Sequence, residues 1–157
     1  MDLMTTTIEY GKIKTFFREA TGEDINFQTL ENRVKFQKVM YILKSAGIPL
    51  ETKFNWYVMG PYSPELAYMG YRIIKEHIPM EKISVEEKRI CEAVKNFLKG
   101  YPERTDQELV ASLLYVKDNQ KLSGEILVQE LRNKKPQFEI EKIRSALDEI
   151  QISNLFE

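Results

Sequence analysis

Arg33-Val-Lys-Phe-Gln-Lys-Val-Met-Tyr-Ile-Leu-Lys-Ser-Ala-Gly47 is followed by Ile48-Pro-Leu-Glu-Thr-Lys53 and then by Phe54-Asn-Trp-Tyr-Val-Met-Gly-Pro-Tyr-Ser-Pro-Glu-Leu66. In this stretch a helix, a stop, a strand, a turn and a new helix start follow one another. Val34, Phe36, Val39, Met40, Tyr41, Leu43 and Ala46 cover most of the first helix's circumference, with polar residues held to a stripe near Arg33, Lys35, Lys38 and Lys44. A helix apolar nearly all round belongs at the centre of its domain. Gly47 stands where a left-handed C-terminal cap is needed, and Pro49 follows.

Phe54, Trp56, Tyr57 and Val58 suit a pleated, half-buried surface. Phe54, Trp56 and Val58 fall on one face, and Asn55, Tyr57 and Met59 on the other. The strand needs a partner, and Leu50–Thr52 and Ile150–Phe156 are the candidates. Gly60-Pro61 reads as a rigid turn, because proline fixes its own backbone and restricts the residue before it. Ser63-Pro64 is a helix entry, with a capping hydroxyl followed by a proline pre-set for the first helical position. Glu65 then meets the positive end of that helix. Tyr62 is thereby held on a stiff corner, either as a packing element or as a contact for something else.

Phe36-Gln-Lys-Val-Met-Tyr-Ile-Leu43, the run Trp56 to Leu66 and the later Lys135-Pro-Gln-Phe138 together resemble the YwgA-like family of small bacterial and archaeal proteins, itself distantly similar to the Panacea antitoxin domain. The likeness touches most of the chain from Leu30 to Ile150. Panacea proteins neutralise a toxin by contact or deliver it to a protease. The resemblance therefore implies a cytoplasmic, non-enzymatic interaction protein whose partner is a toxin or another regulator. In that reading Arg33 and Gln37 supply polar contacts. Tyr57 and Tyr62 are aromatic anchors on the corner running from Trp56 to Glu65, which Gly60 and Pro61 fix.

The chain has 157 residues and a formal net charge of −1. That length makes one domain, able to bury about 68–70% of its unfolded surface. A charge near zero gives no global field to recruit nucleic acid or membrane. With Cys91 alone, no disulfide framework is possible, which suits a reducing compartment. The first residues lack the basic and apolar segments of a secretory signal. The longest apolar run, Val39–Leu43, falls far short of the ~20 residues that span a bilayer.

Outside the central stretch the periodicity is helical. A first helix covers about Thr7 to Ala20, and Asn26 or Thr29 caps the central one. The helix entered at Ser63 stops before Pro79, with His77 in its last turn. Ser84-Val-Glu-Glu87 and Thr105-Asp-Gln-Glu108 both read as capping boxes. Asp118–Lys121 reads as a loop. Ser123 opens a helix to about Lys134 with Ile126, Leu127 and Leu131 inward, and a last helix runs from about Phe138 to Ile150. The fold expected is mainly α with a small β-hairpin or two-stranded piece against the central helix, one compact domain, with a winged-helix-like arrangement as the leading topology.

No Gly-rich phosphate loop, nucleophile elbow or metal-ligand pair is present, so no cofactor, metal or catalytic residue is expected. Ser63 has a capping role, Glu86 and Glu87 belong to a cap, and Cys91 reads as a buried structural thiol rather than the partner of His77. A second reading is a DNA-binding regulator. The last helix opposes it, with Glu139, Glu141, Asp148 and Glu149 against Lys142 and Arg144, a poor surface for phosphates. The basic excess lies between residues 31 and 53, where Arg33, Lys35, Lys38, Lys44 and Lys53 face only Glu31 and Glu51. It is either a nucleic-acid surface or a solvated stripe on a buried helix.

Overall fold

The structure is a computed structural model that describes residues 3–156, with side chains from Thr7 onward. Its elements run α1 (Leu3–Thr21), α2 (Leu30–Ser45), β1 (Asn55–Tyr57), β2 (Gly60–Tyr62), α3 (Pro64–Lys75), α4 (Val85–Leu98), α5 (Arg104–Gln120), α6 (Gly124–Lys134) and α7 (Ile140–Ser153). The chain is thus mainly helical with one small antiparallel hairpin. None of the described helices is long and apolar enough to cross a membrane.

Helix α2 is the axis of the molecule. It packs on α5, α1, α4, α3 and β2, and every residue from Phe36 to Leu43 is buried. Thr29 caps its N-terminus by accepting from Asn32 N at 3.1 Å. Its C-terminus closes in a Schellman motif, with Ile48 N donating to Leu43 O (3.0 Å), Gly47 N donating to Lys44 O (3.1 Å), and Gly47 at φ +115°. Ile48 and Leu43 are both buried, as that motif's hydrophobic contact requires.

The partner of β1 is β2, in the register Asn55↔Tyr62, Trp56↔Pro61 and Tyr57↔Gly60. It is neither Leu50–Thr52 nor Ile150–Phe156. The first lies in an extended link whose Thr52 carbonyl accepts from Lys44 Nζ at 2.6 Å. The second is the end of α7 and a short tail. Gly60-Pro61, expected as a rigid turn from proline's fixed backbone, instead opens β2. Here Pro61 stands opposite Trp56 and gives its carbonyl to Lys38 Nζ at 2.7 Å, so that carbonyl is spoken for outside the ladder. The turn itself is Val58-Met59, neither residue is left-handed, and Gly60 takes the positive φ at +93°.

Three further boundaries depart from the periodicity. Helix α5 starts at Arg104 with Glu103 as its cap, and the Asp106 carboxylate accepts from Glu103 N at 3.3 Å. Thr105 is therefore inside the helix, and Glu108 is buried against Lys135 instead of closing a box. Residues 118–120 belong to α5 and are not a loop. Asp118 accepts from Tyr41 Oη (2.9 Å) and Ser45 Oγ (3.0 Å), which anchors a last turn of weak local propensity. Ile126 is 69% exposed, so α6 faces the core through Leu127, Val128 and Leu131. The Ser84 box at α4 and the Ser63 cap at α3 form as expected, Ser63 Oγ accepting from Leu66 N at 3.1 Å. His77 lies beyond the end of α3 at φ +52°.

Candidate partner-binding groove

The hairpin is held by polar groups that are themselves buried. The Gln37 side chain pairs with the backbone of Ser63 in both directions: its Nε2 donates to Ser63 O and its Oε1 accepts from Ser63 N, each at 2.9 Å. One helical position on, Lys38 donates to Pro61 O. Lys135, the C-cap residue just beyond α6, donates to Val58 O and lies 3.2 Å from Glu108. Lys38, Lys135 and Glu108 are all nearly inaccessible. Gly60 fits because a Cβ there would lie 2.5 Å from Ser112 Oγ. Each of these bonds is directional, so the hairpin is fixed in one pose against α2 and α5.

The charges of the clamp do not cancel. Two ammonium groups share one carboxylate, and among the described residues the ion pair goes to Lys135. Burial lowers the Lys38 pKa to about 8; the Glu108 charge opposes this and Lys135 adds to it. Taking an ammonium with only a shared counter-charge out of water is costly, so the clamp serves geometry rather than stability.

Beside the clamp lies an open groove of about 440 Å³. Leu30, Arg33 and Val34 of α2 line it, together with Tyr57, Val58, Met59 and Tyr62 of the hairpin and with Phe27 and Ala67. Val58 is 89% exposed, Leu30 52% and Tyr57 44%. Tyr57 and Tyr62 meet edge-on with ring centroids 5.3 Å apart. Arg33 lies on the rim, one guanidinium nitrogen donating to Phe27 O at 2.8 Å.

Of the residues expected to meet a partner, Arg33, Gln37, Tyr57, Gly60 and Tyr62 border this groove. Pro61 is buried and does not line it. Trp56 turns to the other side of the hairpin, 5.7 Å from Tyr115, with Lys135 and Lys134 over its ring. Glu65 lies apart, on a separate cavity between α1 and the link that carries Pro49 and Thr52. Leu30, Val58 and Met59 were missed. Leu30 carried a signal as an apolar residue at the exposed start of a helix. Val58 carried none, because its β-branched side chain reads as strand and not as the tip of a turn.

The five basic residues between 33 and 53 do not make one surface. Lys38 is inside, holding the hairpin. Lys35 pairs with Glu23. Lys44 bonds the Thr52 carbonyl and lies over the Phe54 ring. Arg33 and Lys53 are exposed. Two of the lysines expected in a solvated stripe, Lys38 and Lys44, are thus tertiary ties to carbonyls, which sequence periodicity does not reveal.

Cys91, His77 and Tyr41 do not line the groove. Burial, with nearby Glu19, Glu87 and Glu92, pushes the Cys91 thiol up to about 12, which leaves no thiolate at neutral pH. His77 is exposed, whereas Cys91 is fully buried. Burial first, then Asp118, drives the Tyr41 phenol well above its ordinary range. Among the described residues no group of three His, Cys, Asp or Glu side chains is placed to hold a metal ion. Neither family models, curated proteins nor solved structures give a match to this chain.

Proposed function

We propose that this chain is a non-enzymatic interaction protein, antitoxin-like in acting by direct contact, that grips a partner protein in the groove between α2, α3 and the hairpin. The observation that carries the reading is the groove itself, with exposed Leu30, Tyr57 and Val58 on walls that buried hydrogen bonds keep from collapsing. A preformed apolar surface loses little conformational freedom on binding, and clustered exposed apolar side chains mark interaction sites. The resemblance to YwgA-like and Panacea proteins points the same way.

The test uses Val58→Asp and Leu30→Asp, both at exposed positions that leave the core untouched. Each variant and the parent serve as bait in host extracts, with folding checked by circular dichroism. A protein captured by the parent and lost from both variants supports the reading; identical capture by folded variants overturns it. The alternative, a winged-helix-like DNA-binding regulator acting through residues 33–53, draws less support because Lys38 is buried and Lys35 and Lys44 are engaged. Duplex binding that weakens steeply with salt would favour that alternative.

A further inference from the structure

We infer that the groove selects an acidic amphipathic segment, one that sets a single carboxylate side chain among large apolar ones. The inference rests on the groove being a protein-binding site and specifies what the site accepts. Among the residues that line it, the charged ones are Arg33 and Lys38, both cations; no aspartate or glutamate is present. The rest of the lining is mainly apolar or aromatic, which sets the companion residues.

Arg33 stands exposed on the rim and uses one guanidinium nitrogen on Phe27 O, leaving donors free to take a carboxylate. Lys38 lies behind the wall. Its ammonium is spent on Pro61 O, and the nearest acid, Glu108, is paired with Lys135. The result is a positive charge beneath an apolar surface that shares its one acidic neighbour, Glu108, with Lys135. Low surrounding polarity lets that charge act across the groove more strongly than a solvated lysine would. An occupant carrying a carboxylate at the Arg33 end meets one cation directly and the field of the other. An occupant carrying lysine or arginine there meets two like charges. Selection against the wrong partner is therefore built in along with selection for the right one.

The experiment is a display selection of random 16-residue peptides on the intact protein, counter-selected on the uncharged Val58→Asn variant so that only groove-dependent binders survive. The survivors are expected to share apolar residues and an aspartate or glutamate. Replacing that residue by asparagine or glutamine should weaken binding roughly tenfold or more, as loss of a charge-assisted bond does. Arg33→Glu should cause a similar loss, and selection on that variant should return basic residues at the same position. Survivors without a carboxylate, or indifferent to Arg33→Glu, overturn this inference and leave the docking groove standing. An absence of groove-dependent survivors removes the docking reading and this one together.

Discussion

Helix α2 meets the rest of the molecule through two unlike sides. Toward α1 and α3 it offers Phe36, whose ring lies 5.5 Å from Phe17 and 5.2 Å from Phe27, both edge-on. Toward the hairpin and α5 it offers Gln37, Lys38 and Tyr41, which bond Ser63, Pro61 and Asp118. The first side is apolar packing, strong in total but indifferent to small shifts. The second is a row of single bonds, each weak in net terms yet intolerant of displacement. The lesson is a division of labour along one helix: one side supplies stability, and the other supplies the position of the groove wall.

Breaking the apolar side should have the largest effect. Phe36→Ala empties a fully buried site and is expected to lower unfolding free energy by about 3–5 kcal/mol in denaturant titration. On the polar side, Gln37→Leu keeps the bulk but strands the N–H of Ser63, whose carbonyl keeps the bond from Ala67 N. A loss of about 1–3 kcal/mol is expected, with faster hydrogen exchange at Ser63 and its neighbours as the sharper sign. An equal and uniform loss of protection in both variants would contradict the division of labour.

A smaller effect sharpens the comparison through pH. The folded value for Lys38, about 8, lies below the ordinary lysine value of 10.5. Between those two values the unfolded chain holds a proton that the folded chain has released, so stability contributed by this group rises with pH across the window. The slope is roughly 1 kcal/mol per pH unit at most. Lys38→Met should remove that rise, seen as parallel denaturation midpoints from pH 8 to 10 where the parent's climb. Smallest of all, Val58→Asp should change stability by less than about 0.5 kcal/mol, since it alters an exposed turn. A large destabilisation there would mean that Val58 supports the fold and is not free to meet a partner.

Local chemistry made much of this fold legible. The Gly47 cap, the Ser63-Pro64 entry and the Ser84 box each depend on residues within one turn of each other. The features that escaped depend on distant residues. Asp118 remains helical because Tyr41 and Ser45 bind it, and Glu108 is drawn inward by Lys135. Gly60-Pro61 becomes a strand because Lys38 takes the carbonyl that would otherwise be left over. The candidate site was half legible for the same reason. Its tyrosines and Arg33 are marked by a stiff local sequence, whereas the burial of Lys38 and the outward turn of Trp56 from the groove are set by α5 and α6.

Ser63 has a mechanical consequence. Its backbone N–H and carbonyl are tied to Gln37, its carbonyl also accepts from Ala67 N at 3.1 Å, and its hydroxyl holds Leu66 N. One residue thus ends the hairpin, starts α3 and fastens both to the molecular axis, with no slack chain between them. Tyr62 therefore cannot shift relative to α3 without breaking at least one of the Ser63 bonds.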